Sequence, residues 1–184
     1  MKEIIQCLSQ DLLSKIGFKK GVAIARLDEE GRVLIQDNGV NEYRFAGLND
    51  YDDSYFYIRH RSTGEITYGD SSQKKFTGIQ NFFRVEYQMR VVACIKNADA
   101  YDLESRIRYV LMNANLPSSS TFANATITPV QSQIDSIQVL TEESRTPKIF
   151  DKNLIFVAHD FNLTADVDMS LEYYCENPCY NQGC

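Results

Sequence analysis

The chain has 184 residues, 43% of them apolar, and carries a net charge of -6 with a pI near 5.0. That length buries roughly 70% of the surface of the unfolded chain in one domain, and the acid excess argues against a surface that wraps nucleic acid, which needs clustered Lys and Arg. No apolar run approaches the ~18 residues of a membrane span, and MKEIIQCLSQDLL is too short and too charged for a signal peptide, so the expectation is a soluble protein made and kept in a cytoplasm.

From the N-terminus, Ile4, Ile5, Leu8, Leu12 and Ile16 recur at helical spacing, and Gly17 sits where a C-terminal glycine belongs; a short amphipathic helix over 2–16 follows. Lys19 and Lys20 then oppose the negative end of its dipole. GVAIARLDEEGRVLIQ predicts two short strands joined at Asp28 to Gly31, Asn38-Gly39 is a second turn signal, and Glu42 to Ala46 is a candidate strand. The loop from Asn49 to Asp53 brings Asp50, Asp52 and Asp53 together. It lacks the glycine and the final glutamate of an EF-hand, and a solvated loop is favoured over a cation site.

Tyr55 to Arg61 predicts a strand, Ser62-Thr63-Gly64 a turn, and Glu65 to Tyr68 the returning strand of a hairpin. Its aromatic residues are read as packing, because the surrounding charge is too weakly basic for base stacking. Gly69 to Gly78 is polar and loop-like, and Lys74 follows no GxxxxG, so no phosphate-binding loop is implied.

FFRVEYQMRVVACIK, over 82–96, alternates apolar Phe83, Val85, Tyr87, Met89, Val91 and Ile95 with Arg84, Glu86, Gln88 and Arg90, the period of a half-buried strand. Its cover is a helix from Asp99 to Ala114, with Leu103, Ile107, Val110, Leu111 and Ala114 on one stripe. Asp99 is its N-cap and Pro117 its stop. Asp102 with Arg106, and Glu104 with Arg108, form acid-before-base pairs on a solvent face.

Leu116 to Asn124 reads as a linker. Thr126 to Thr141 is ambiguous, since Ile127, Val130, Ile134 and Ile137 fit a helix while Pro129 and the β-branched residues favour short strands, which are expected here. Thr141 to Asp151, with EESRTPK, is expected to be charged and exposed. Asn153 to Val167 is a second long strand, with Ile155, Val157, His159, Phe161 and Leu163 on one face and Leu154, Phe156, Ala158, Asp160 and Asn162 on the other. Unbent, this strand and the one from Phe82 would each extend about 45 Å, beyond the usual strand.

The fold class expected is therefore α+β: a mostly antiparallel twisted sheet with two long strands, packed by the N-terminal helix and the central amphipathic helix. Residues 1–170 form one domain and 171–184 a cysteine-containing tail. No local spacing recommends a catalytic constellation. His60 and His159 lie within strands without an evident partner, so no enzyme and no cofactor is expected. Cys7 and Cys94 sit on apolar segments as buried free thiols. The tail places Cys175, Cys179 and Cys184 at C-x3-C-x4-C; these are candidate zinc ligands that need a fourth, such as His159 or a residue of another subunit, or disulfide partners, or idle thiols of a frayed end.

The order of elements from Lys2 to Val167 is a helix, hairpin strands, a long strand, one amphipathic helix and further strands. It resembles the tail-terminator and tail-completion proteins of tailed bacteriophages, which share their fold with ring-forming neck and connector proteins. The likeness is one of topology; the family has no invariant catalytic or ligand motif to carry over. It implies a structural virion protein, made in a bacterial cytoplasm, whose copies form a homo-oligomeric ring joined to the portal and other neck or tail proteins. DNA then passes through the lumen without sequence-specific binding, and no membrane is involved. Long strands offer edges for pairing between neighbours, and an acidic lumen lets the phosphate backbone slide. The alternatives are a monomeric or dimeric adaptor or inhibitor, and an enzyme with a site assembled from distant residues.

Overall fold

A computed structural model describes residues 2–22, 26–27, 33–36, 43–45, 54–69, 82–117, 122–144 and 153–168. The elements in chain order are α1 (Lys2–Ile16), β1 (Lys20–Val22), β2 (Arg26–Leu27), β3 (Val33–Gln36), β4 (Tyr43–Phe45), β5 (Ser54–Gly69) and β6 (Phe82–Lys96). They are followed by α2 (Ala100–Met112), β7 (Phe122–Gln133), α3 (Ser136–Ser144) and β8 (Leu154–Asp168). The class is α+β. One sheet has the order β1-β5-β6-β8-β7, antiparallel except for the parallel β1–β5 pair, and β2, β3 and β4 form a separate antiparallel sheet.

Local chemistry sets the helix ends. Gly17 takes φ +85°, the left-handed conformation that ends α1, and its N–H donates to the Leu13 carbonyl at 3.0 Å. Asp99 caps α2, its carboxylate accepting from the Asp102 N–H at 2.9 Å, while Asn113 rather than Pro117 closes the helix.

The register of β6 against β5 and β8 sorts the two faces. Ala93, Val91 and Met89 lie opposite Phe56, Ile58 and His60 on one side and opposite Val157, His159 and Phe161 on the other. This face packs with Ile4, Ile5, Leu8 and Leu12 of α1 and with Leu103, Ile107, Val110 and Leu111 of α2 in one core. The reverse face carries Tyr55, Tyr57, Val92, Cys94, Phe156 and Ala158, and Val139 and Leu140 of α3 complete that second cluster.

Two expectations need correction. Ser62-Thr63-Gly64 does not turn the chain. β5 runs through it as one 16-residue strand paired with β6 along its length, with bulges between His60 and Ser62 and between Thr63 and Ile66. Turn-forming residues are tolerated because a bulge absorbs an extra residue while the flanking aromatic and β-branched residues keep the ladder. The stretch from Thr126 to Thr141 is not a set of short strands; β7 continues to Gln133 and α3 begins at Ser136. Pro129 fits because β7 is an edge strand, and its missing N–H falls at a register shift between Pro129 and Gln131. Asp135 starts α3 by accepting from the N–H groups of Ile137 at 2.9 Å and Gln138 at 3.2 Å.

Candidate functional site

A row of charge crosses the reverse face where its apolar cluster ends. The register sets Arg59 of β5 opposite Arg90 of β6, Arg90 opposite Asp160 of β8, and Asp160 opposite Gln131 of β7. Two arginines side by side would repel one another, so the row holds together only with anions on both flanks. Asp160 supplies one, and α3 supplies the others from above as Glu142 and Glu143.

The geometry pairs these groups closely, leaving Arg59 Nε as a buried donor without a partner among the described residues. Arg90 donates from Nε to Asp160 Oδ1 at 2.6 Å and from Nη2 to Oδ2 at 3.0 Å, a forked pair. Its Nη1 reaches Glu142 Oε2 at 2.6 Å and Glu143 Oε1 at 3.1 Å. Glu143 Oε1 also meets Arg59 Nη2 at 2.9 Å, and its Oε2 accepts from the Tyr57 hydroxyl at 3.1 Å. Asp160 Oδ2 accepts further from Arg61 Nη1 at 2.9 Å and Gln131 Nε2 at 3.1 Å. Glu143 is 0% exposed and Arg90 3%, so these are charges removed from water and compensated inside the chain.

Electrostatics follow from the contacts. Burial alone would raise the Asp160 carboxyl, but the hydrogen bonds from Arg90 and Gln131 overcome it and hold the group below its ordinary range. The bond from Arg90 does the same for Glu142, against a smaller effect of burial. Burial opposes the charge of Arg90, yet its bonds to Asp160 and Glu142 raise its pKa further. The Tyr57 hydroxyl is pushed well up by burial and by the charge of Glu143. A carboxyl held ionised in this way is a poor general acid, and one below its usual range is a weak base near neutral pH. What the arrangement does well is fasten α3 to the sheet. A polar cleft of about 310 Å³ lies beside it, lined by Arg90, Gln131, Gln133, Gln138, Glu142 and Asp160 among others.

The segment with EESRTPK is thus not simply charged and exposed: Glu143 is fully buried, because α3 turns it toward Arg59 and Arg90. The cluster joins residues from five separate segments, β5, β6, β7, α3 and β8, which no local spacing reveals. One signal was present. Phe156 and Ala158 on β8, and Val92 and Cys94 on β6, make the second face apolar at one end of each strand, which requires a cover, and Val139, Leu140 and Glu143 share one helical face that can provide it.

The remaining candidates are distributed otherwise. Cys175, Cys179 and Cys184, the aspartates of the 49–53 loop and Lys74 lie outside the described residues. Among the described residues no group of His, Cys, Asp and Glu stands close enough to hold a metal. Cys94 is buried, while Cys7 is only half-buried and its Sγ lies 3.3 Å from the Asn115 carbonyl oxygen. His60 is exposed, 3.4 Å from Thr63 Oγ1. His159 is 1% exposed, and its Nδ1 lies 3.5 Å from Glu104 Oε1, beyond a good hydrogen bond. Burial lowers its pKa, so the ring is held neutral. No described helix is long and apolar enough to cross a membrane. The chain matches no protein-family model, and a search of curated proteins finds no significant match.

Proposed function

We propose that the protein is a non-catalytic structural subunit that forms a ring in the neck or tail of a tailed bacteriophage, around the channel through which DNA passes. In this reading the chain through residue 170 is one domain, a mostly antiparallel twisted sheet built on two long strands, β6 and β8, with α1 and α2 against it; the cysteine tail stands apart. The observation that carries the reading is the extent of β5, β6 and β8, 16, 15 and 15 residues, against the short reach of α3 on the reverse face. Beyond α3 that face presents polar side chains tied laterally to one another: Ser62 to Gln88, Asn162 to Glu86, and Arg84 and Asn124 to Asp166. A long sheet with a polar, self-satisfied face suits packing against neighbours and a passing acidic polymer better than it suits a substrate. The neutralised charge network supports the same reading, since its carboxylates hold α3 in place and are poorly tuned for proton transfer.

Contacts between ring subunits would use the ends of the long strands, around 81–86 and 161–167, and the segments 43–54 and 142–152, whose described parts are β4, the first residue of β5 and the end of α3. The portal and adjacent tail proteins are the further partners, and the virion is the site of action. Mass spectrometry of purified particles from cells producing the protein tests this first. Recovery in a fixed ratio to the portal protein is the expected result, and absence from particles would leave the adaptor reading in its place.

A further inference from the structure

Helix α2 carries a second apolar stripe, on the side facing away from the core. Tyr101, Ser105, Tyr109 and Met112 are spaced four, four and three residues apart and share one face. Tyr101 is 71% exposed, Tyr109 65% and Met112 66%. Tyr and Met flanked by Arg is the composition of a protein interface rather than of a solvated helix surface. Beside Tyr109, the last turn of α1 and α2 enclose a mainly apolar groove of about 240 Å³ lined by Lys15, Ile16, Ser105, Arg106, Tyr109 and Val110.

We infer that this stripe is a self-contact, on which α2 of a second copy of the chain packs antiparallel about a two-fold axis at Ser105. The stripe's spacing carries the assignment. Tyr101 and Tyr109 lie equally far on either side of Ser105, so a two-fold axis there sets Tyr101 of each copy level with Tyr109 and the groove of the other. Ser105 is small enough to let the helices approach. Such self-complementarity is what an isologous contact requires.

The flanking charges select the same orientation. Asp102 and Arg106 border one side of the stripe, where Arg106 lies 3.8 Å from Asp102 and donates from Nη2 to the Ile16 carbonyl at 2.9 Å; Arg108 borders the other side, held at 2.7 Å by Glu104, whose side chain is only 12% exposed and lies against His159. In the antiparallel pair each side faces its own copy reversed. Asp102 then lies nearest the partner's Arg106, giving two opposite-charge pairs on that side of the stripe. A parallel pair would instead oppose Arg106 to the partner's Arg108. A helix of 13 residues is a small contact, so the dimer belongs to the micromolar range. The inference does not rest on the ring reading: a two-fold contact closes at two copies and uses neither the sheet ends nor the segments assigned there.

Sedimentation of the full chain across a micromolar concentration series tests it. The expected result is a reversible shift from 21.1 kDa to twice that mass, lost in Tyr101→Ser and in Tyr109→Ser while their thermal midpoints stay near that of the parent. Asp102→Lys and Arg106→Glu should each weaken the dimer about tenfold by setting like charges together. An equimolar mixture of those two variants should regain it as a heterodimer, an outcome that pairing within one helix cannot produce. A monomer at every concentration, a dimer indifferent to both tyrosine substitutions, or a mixture as weak as its components would each overturn the inference.

Discussion

Arg90 and Asp160 face one another across the β6/β8 register and are joined by two parallel hydrogen bonds of 2.6 and 3.0 Å, both inside the sheet's covered reverse face. The pair is the hub by which a short helix is held. α3 contributes only two well-buried apolar residues, Val139 and Leu140, and its seat depends on Glu142 and Glu143 reaching the arginines.

Removing Glu143 should therefore be severe. Glu143→Ala leaves the buried Arg90 and the half-buried Arg59 with too little compensating charge and is expected to lower stability by about 3–5 kcal/mol. Tyr57→Phe, which deletes one hydrogen bond to Glu143 and nothing else, should cost about 1 kcal/mol. Urea denaturation checks both, and a loss below about 1 kcal/mol for Glu143→Ala would contradict the role given to the network.

On the opposite face, Ile107 is fully buried in the core shared by α2 and the sheet. Ile107→Asp places an unpaired charge there and should lower stability by at least about 3 kcal/mol. An unchanged thermal midpoint would mean that α2 does not cover this sheet.

How far the sequence reveals this is itself uneven, for physical reasons. α2 was readable because its stripe and its Asp99 cap agree, and β6 and β8 because their alternation runs over many residues. At Ser62-Thr63-Gly64 local turn chemistry and long-range pairing disagree, and pairing with β6 prevails. Between Thr126 and Thr141 a strand with Pro129 abuts a helix capped by Asp135, so that a single period fits neither half. The Arg59, Arg90, Glu143 and Asp160 cluster depends on register between distant segments, which periodicity does not report. The outward stripe of α2 was open to view in the spacing of Tyr101, Tyr109 and Met112, but the salt-bridge pattern around it reads first as a solvent face.

Stability should depend on pH in two steps. Burial lowers the pKa of His159; Glu104 and Asp160 act to raise it and Arg108 to lower it. The unfolded chain then takes up this proton at higher pH, near 6.5. Stability is therefore full above that value and declines as pH falls toward the folded-state pKa, with a slope of at most about 1.4 kcal/mol per pH unit. A second loss comes from Asp160 and Glu142, whose folded-state values are lowered. Their contribution is present above the unfolded carboxyl range near 4 and disappears as pH falls through the folded values. His159→Leu should abolish the first step and leave the second, which thermal melts from pH 8 to 3 would show.

The cysteine tail should be dispensable for folding. Every buried residue of both clusters among the described residues lies at or before Val167. A chain cut after Tyr173 is expected to unfold cooperatively at the midpoint of the full chain. Loss of cooperativity, or one zinc per chain in the purified full-length protein, would instead give Cys175, Cys179 and Cys184 a structural role.

The most direct measurement of the central claim is an image of intact particles at subunit resolution. The account predicts density for this chain as a closed, symmetric ring on the axis between portal and tail, with long-strand ends at the subunit boundaries and the channel running through its centre. Density anywhere off that axis, or particles complete without the chain, would contradict it.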